Sequence, residues 1–209
     1  RRGNVFGMTG MTIALVTTMA LILKLQESAG TQSNGSGIAL VILGLLVGGT
    51  LGTIMAKRVE MTKMPELVAF MHSMIGLSAV FIAIACVAEP WAFDIVAHGE
   101  AIPVGNRVEL FIGTFVGAIT FSGSVIAFGK LSGKYRLRVF QGAPVPFAGQ
   151  HMLNLILAIA MLVFGIWFAI TQSWFPYWMM TAIAFVLGVL IIIPIGGADM
   201  PVVVSMLNS

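Results

Sequence analysis

The sequence predicts an all-α fold: a polytopic transmembrane helical bundle with six full spans and a truncated seventh. Three observations lead there. The chain is 58% hydrophobic and 9% charged, whereas a soluble domain carries about 25% charged residues. Its apolar residues fall into runs close to the ~20 residues needed to cross a bilayer. Its basic residues cluster in loops that alternate along the chain, the pattern of the positive-inside rule.

The first run, Val5 to Leu25, is closed by Lys24, Gln26 and Glu27, with Lys24 reaching back to the headgroups. A Gly/Ser/Asn-rich loop, Ser28 to Gly37, precedes the second span, Ile38 to Ala56. Gly44, Gly48 and Gly52 recur there at four-residue spacing, which clears one helix face for close approach by a neighbour. Lys57, Arg58, Glu60 and Lys63 form a short loop into the third span, which runs to Val87. Pro65 suits its first turn and Glu66 is favoured there by the helix dipole. The loop Ala88 to Asn106 holds Trp91 and Phe93 as interfacial anchors. Asn106, with Glu109 three residues on, reads as a cap opening the fourth span, Arg107 to Phe128.

A basic loop with Lys130, Lys134, Arg136 and Arg138 follows, then Gly and Pro residues to Gln150. The fifth span is Met152 to Ile170, with His151 at its edge. An aromatic turn, Thr171 to Trp178, leads into the sixth, Trp178 to Ile195. The seventh begins at Met200 and stops at Ser209. A start without methionine and a stop inside an apolar run imply a fragment of a larger polypeptide.

If spans alternate, Arg1, Arg2, Lys57, Arg58, Lys63, Lys130, Lys134, Arg136 and Arg138 share one side, expected to be the cytoplasmic side, or the matrix side in a mitochondrion. Only Arg107 and Lys24 fall opposite. The net charge of +3 therefore reflects topology and gives no reason to expect a nucleic-acid partner. The single cysteine, Cys86, cannot form an internal disulfide. Arg1-Arg2 lacks the following small-residue cleavage site of a twin-arginine signal.

Within the spans, His72 is the group whose charge changes near neutral pH, and an ionisable side chain in hydrocarbon is a functional candidate. At 100° per residue His72, Gly76, Ala79 and Ala83 share one stripe of the third span. Gly113, Gly117, Thr120, Ser124 and Ala127 form a similar stripe on the fourth. Pro201, Ser205 and Asn208 share a face of the seventh. Small and polar faces of this kind serve two ends: hydrogen-bonded glue between helices, or a wet path for protons. Glu66, Glu109, Thr120 and Ser205 are further candidates, as pathway residues or caps. A second intramembrane histidine for haem, a mid-span lysine for a Schiff base, a phosphate loop and metal-ligand spacing are all missing. The chain is expected to hold no cofactor and no metal itself.

Three stretches carry a family resemblance: VEMTKMPELVAFMHSMIGL (Val59 to Leu77), ELFIGTFVGAITFSGSVIAFGKLSGK (Glu109 to Lys134) and IGGADMPVVVSMLNS (Ile195 to Ser209). They resemble the membrane domain of the proton-translocating NAD(P) transhydrogenase beta subunit. GNVFGMTGMTIAL near the start fits more loosely, and the loops Glu89 to Gly105 and Arg136 to Gln150 add nothing. The resemblance implies that residues 1–209 form a transmembrane proton-translocating domain. Proton movement through it would be coupled to hydride transfer between NAD(H) and NADP(H) on separate soluble domains outside this chain.

Carried over by position, His72 matches the family's central proton-pathway histidine. Ser124 and Asn208 match residues lining the same channel. Asp199 matches the acidic residue facing the NADP(H)-binding domain, and also suits a helix N-cap. Lys63 departs from the family, which often has an acid there; that puts a carboxylate role at this point in doubt. The implied partners are an NAD(H)-binding alpha subunit with its own membrane helices, the NADP(H)-binding domain of the same subunit, the lipid bilayer and a second copy of the complete enzyme. The implied location is a bacterial inner membrane, ahead of the mitochondrial one. A stand-alone proton channel or secondary transporter, and a purely structural anchor, are the competing readings.

Overall fold

A computed structural model describes residues 2–28, 35–133 and 137–207. Among these residues there are seven α-helices and no strand: α1 (Arg2–Ser28), α2 (Gly35–Arg58), α3 (Met64–Ala88), α4 (Val104–Ser132), α5 (Gln150–Thr171), α6 (Trp174–Ile192) and α7 (Met200–Leu207). The first six are long and apolar enough to span a bilayer. The chain divides into two compact units. One holds α1, α2 and the segment Pro90–His98, and the other holds α3 to α7.

In the first unit, no described residue of α1 or α2 is buried. Nothing lies within 4 Å of where a Cβ would stand on Gly44, Gly48 or Gly52. The neighbour that their spacing would admit is not among the described residues of this unit: a glycine stripe permits a neighbour without supplying one. The ring of Trp91 packs on His98 with centroids 4.5 Å apart.

The second unit is built around α4, half of whose spanning window is buried, more than in any other helix of the unit. Its start and stop follow local chemistry. Pro103 occupies the N-cap position, where its missing N–H costs nothing. Gly133, at φ 61°, closes the helix in the left-handed region and donates its N–H to the Gly129 carbonyl at 3.2 Å. The Asn106–Glu109 cap is thereby corrected: the helix begins at Val104, and Glu109 is an exposed residue of its second turn. Helix α6 also begins earlier than expected, at Trp174, because Pro176 is tolerated in a first helical turn. It ends at Ile192 rather than Ile195, just ahead of Pro194, whose ring disfavours helix in the residue before it. The turn before α6 is brief, with Gln172 held at φ 52°. The Gln172 side-chain oxygen accepts the Ile102 N–H at 3.0 Å, which fixes that conformation.

Helices pack on α4 at backbone distance. A Cβ on Gly76 of α3 would stand 2.6 Å from the Phe121 nitrogen and 2.7 Å from the Gly117 carbonyl oxygen. A Cβ on Gly117 would meet the Gly76 carbonyl at 2.8 Å. On the α6 side, a Cβ at Gly188 would collide with the Ser122 hydroxyl and the Ile119 carbonyl. On the α5 side, the Phe111 ring fills the space over Gly165. Buried polar groups add direction. The Thr114 hydroxyl donates to the Leu110 carbonyl at 2.7 Å, so its oxygen is left to accept from Tyr177, 2.9 Å away on α6.

Two outcomes follow from this packing. Gly76→Ala should destabilise the unit by about 1–3 kcal/mol, because the added methyl meets backbone that cannot rotate away. Gly113→Ala, one turn from Gly117 in open space, should leave the unit as stable or more stable by up to about 1 kcal/mol, because alanine is the better helix former. Thermal unfolding in detergent or bilayers, compared for the two variants, checks the contrast. Tyr177→Phe should cost about 0.5–1.5 kcal/mol in the same assay, the worth of one buried hydrogen bond.

Candidate functional site

His72 lies on α3, half-buried, at the flank of the stripe Ala69, Ser73, Gly76 and Val80 that α3 buries. The expected stripe is thus half met: Gly76 and Ala83 are buried, while His72 and Ala79 sit at its edge. The ring Nδ1 is 3.0 Å from the Val68 carbonyl oxygen, one turn back. A carbonyl only accepts, so this hydrogen bond requires the proton on Nδ1. Nε2 is then the atom at which the ring gains or loses its second proton.

The level of His72 in the unit is set by two crossings of α3 with α4. Nearer the start of α3, Ala69 shares a buried cluster with Ile126 and Ala127 of α4. Further on, Gly76 backs onto Gly117 and Phe121. Since the two helices run antiparallel, residues 72 and 124 fall at one level between these crossings. Ser124 is buried there, 1% exposed, and Thr120 is half-buried one turn away. The same cluster contains Met200, fully buried, with Val68 and Val203 packed against it. The first turn of α7 therefore enters the unit beside the turn of α3 that precedes His72. Ser205 lies on α7, and Asn208 lies outside the described residues.

The carboxylates divide by position. Glu66 stands half-buried in the first turn of α3, about 9 Å along the helix from His72 at 1.5 Å per residue. Glu109 is near the opposite end of α4 from Ser124, about 22 Å away along the axis. The structure does not bring it to His72. Asp199 is exposed and immediately precedes α7, its carbonyl accepting the N–H groups of Val202 and Val203. Lys63 forms an exposed ion pair with Glu60 at 3.2 Å. His151 is exposed at the start of α5. Among the described residues no group of three or more His, Cys, Asp and Glu comes together in a way that could hold a metal ion.

Several polar groups escaped the sequence reading. Ser73, buried on α3, donates to the Phe70 carbonyl at 2.6 Å. Ser122, buried on α4, donates to the Ala118 carbonyl at 2.9 Å. Their hydroxyls are spent on their own helices, so a face of small polar residues is no sign of free hydroxyls.

Lys130 is the larger correction. Placed in a basic loop by the charge run around it, it instead lies inside α4 and is 3% exposed. Its ammonium donates to the Ile193 carbonyl at 2.5 Å and the Ile195 carbonyl at 2.6 Å, just past the end of α6. Arg107, at the other end of α4, donates to the Ile102 carbonyl at 2.7 Å and to Ile170 near the end of α5 at 2.9 Å. Lys130 meets carbonyls just past the C-terminus of α6 and Arg107 meets one near the C-terminus of α5, where carbonyls lack partners in the helix and the dipole is negative.

Compared with known proteins, the whole chain, residues 1–209, matches the family described as NAD(P) transhydrogenase beta subunit. Two curated relatives, each named NAD(P) transhydrogenase subunit beta, come from Rhodospirillum rubrum and from a defined strain of that species. Each is 47% identical over 209 residues, which is 100% of this chain and 41% of the relative. The chain thus spans about two-fifths of the length of the curated relatives it matches. It belongs to the NAD(P) transhydrogenase beta subunit family.

Proposed function

We propose that this member of the beta subunit family is the proton-conducting membrane part of an NAD(P)+ transhydrogenase. In the complete enzyme, hydride passes between NAD(H) and NADP(H) on soluble domains, and this part carries the coupled proton across the membrane. One observation carries the reading most: a half-buried imidazole whose Nδ1 is committed to the Val68 carbonyl, leaving Nε2 for proton exchange at the level of Ser124. The family membership supports the enzyme over a stand-alone channel or transporter.

In this mechanism His72 Nε2 takes a proton from one side of the membrane and releases it to the other. A change in the nucleotide-bound domain that altered access or proton affinity at Nε2 would make the site a pump element, because only a differential interaction between two states shifts their balance. Ser124 and Asn208 line the path, with Thr120 and Ser205 along the same helices. Glu66 serves the side on which α3 begins, and Asp199 passes the state of the NADP(H) domain to α7. The partners are an NAD(H)-binding alpha subunit and the NADP(H)-binding domain, in an enzyme that is itself a homodimer. The membrane is the inner membrane of a bacterium, in keeping with the bacterial relatives.

In the complete enzyme in sealed vesicles, His72→Ala should lower proton-coupled hydride transfer by about 10²-fold or more, the usual worth of a positioned proton-transfer group. Ser124→Ala should lower it several-fold, consistent with about 1 kcal/mol for one hydrogen bond. Hydride transfer and proton uptake recorded together test this. Full coupled activity in His72→Ala would refute it.

A further inference from the structure

Lys130 has a place that the proton path does not explain. It is buried, and among the described residues no carboxylate pairs with it. Among the described residues its partners are main-chain oxygens: Ile193 at 2.5 Å, Ile195 at 2.6 Å and, more weakly, Ile192 at 3.5 Å. Because α6 stops at Ile192, ahead of Pro194, none of the three is capped by the i+4 amide of a continuing helix; the Ile193 carbonyl also accepts the Val145 N–H and the Ile192 carbonyl the Ile195 N–H. An ammonium with three donors and no fixed plane fits three oxygens around one point.

Three segments meet at this point. The Phe140 ring lies directly on Gly129, the residue before Lys130. The Val145 N–H donates to the Ile193 carbonyl at 3.2 Å, and the Gly197 N–H donates to the Gly142 carbonyl at 2.6 Å. A Cβ on Gly197 would stand 3.1 Å from the Gly142 Cα and 3.3 Å from the Lys130 carbonyl oxygen. The end of α4, the segment Phe140 to Val145 and the turn Ile195 to Asp199 are therefore pressed together around one buried cation. That turn delivers Met200, fully buried, into the cluster with Ala69 and Ala127.

We propose that Lys130 is a positioning residue that fastens the α6–α7 turn to α4, so that the turn bearing Asp199 and the helix bearing Ser124 move as one piece. Displacement of Asp199 is then felt both at the entry of α7, beside the turn of α3 before His72, and along α4 itself. A cation bound by carbonyls suits this task, because it holds the turn without supplying a carboxylate that would compete for the transported proton. The inference rests on the proton-conducting reading above, and it adds the element through which the cytoplasmic turn is linked to the path.

The test uses the complete enzyme in vesicles, with Lys130→Met and Lys130→Arg. In Lys130→Met, amide hydrogen exchange at Gly197, Asp199 and Met200 should accelerate at least about tenfold as the turn opens locally. The ratio of protons taken up to hydride transferred should fall below about half, since coupling is lost with the shared element. Lys130→Arg, which keeps a cation and its donors, should restore more than half of that ratio. A Lys130→Met enzyme with the normal ratio overturns the proposal, even if exchange in the turn is faster, because the lysine would then serve folding alone. Where Lys130→Met does not assemble, Gly197→Ala displaces the same turn from Gly142 with Lys130 intact; a lowered ratio supports the proposal and an unchanged ratio overturns it. Loss of coupling in His72→Ala with none in the Lys130 and Gly197 variants would overturn the fastening alone, whereas coupled His72→Ala would overturn the function it rests on.

Discussion

Backbone-to-backbone contact along α4 is the constraint on which the rest of the second unit depends. Lipid tails are as apolar as leucine, so helices in a bilayer gain little from burying apolar side chains against one another. What holds them is close van der Waals contact and hydrogen bonding. Gly76 against Gly117, Gly188 against Ser122 and Gly165 under Phe111 supply the first. The Thr114–Tyr177 pair supplies the second. With α3, α5 and α6 fixed at these points, the level of every other residue on the helices is decided. His72 and Ser124 share a level for that reason, with no direct bond between them needed.

The ends of α4 answer a different requirement. A helix that stops within or near hydrocarbon leaves carbonyls without partners, and water is scarce there. Lys130 covers those at the end of α6, which runs parallel to α4, and Arg107 covers one at the end of the antiparallel α5. One long helix thus carries a cation at each end, and each meets the negative terminus of a neighbour. The arrangement satisfies backbone groups and at the same time fixes α4 along its axis.

Helix number and type were legible in the sequence because runs of about 20 apolar residues admit few alternatives in a bilayer. Boundaries were less so. The spans expected at 107–128 and 178–195 are 104–132 and 174–192. Proline accounts for both starts and for the end of α6, being accepted at the start of a helix and disruptive at its end, while Gly133 closes α4. His72 stands out as a candidate from chemistry alone, since an imidazole in an apolar run needs an explanation. Lys130 was misread because it opens a basic run, and charge patterning describes the run rather than its first member. Glu109 looked like a cap because the spacing from Asn106 was right, but the helix had already begun at Val104.

By itself the sequence determined an all-α chain with runs long and apolar enough to span a bilayer, the clustering of its basic residues between them, and one histidine inside such a run. These follow from local composition, because each residue's preference for water or hydrocarbon is its own. The tertiary structure decided which small residues are contacts, which hydroxyls are already committed, and where a buried lysine finds its acceptors. Those depend on the register between helices distant in the chain. Register is set by shape at a few crossings, and no property of either segment alone records it.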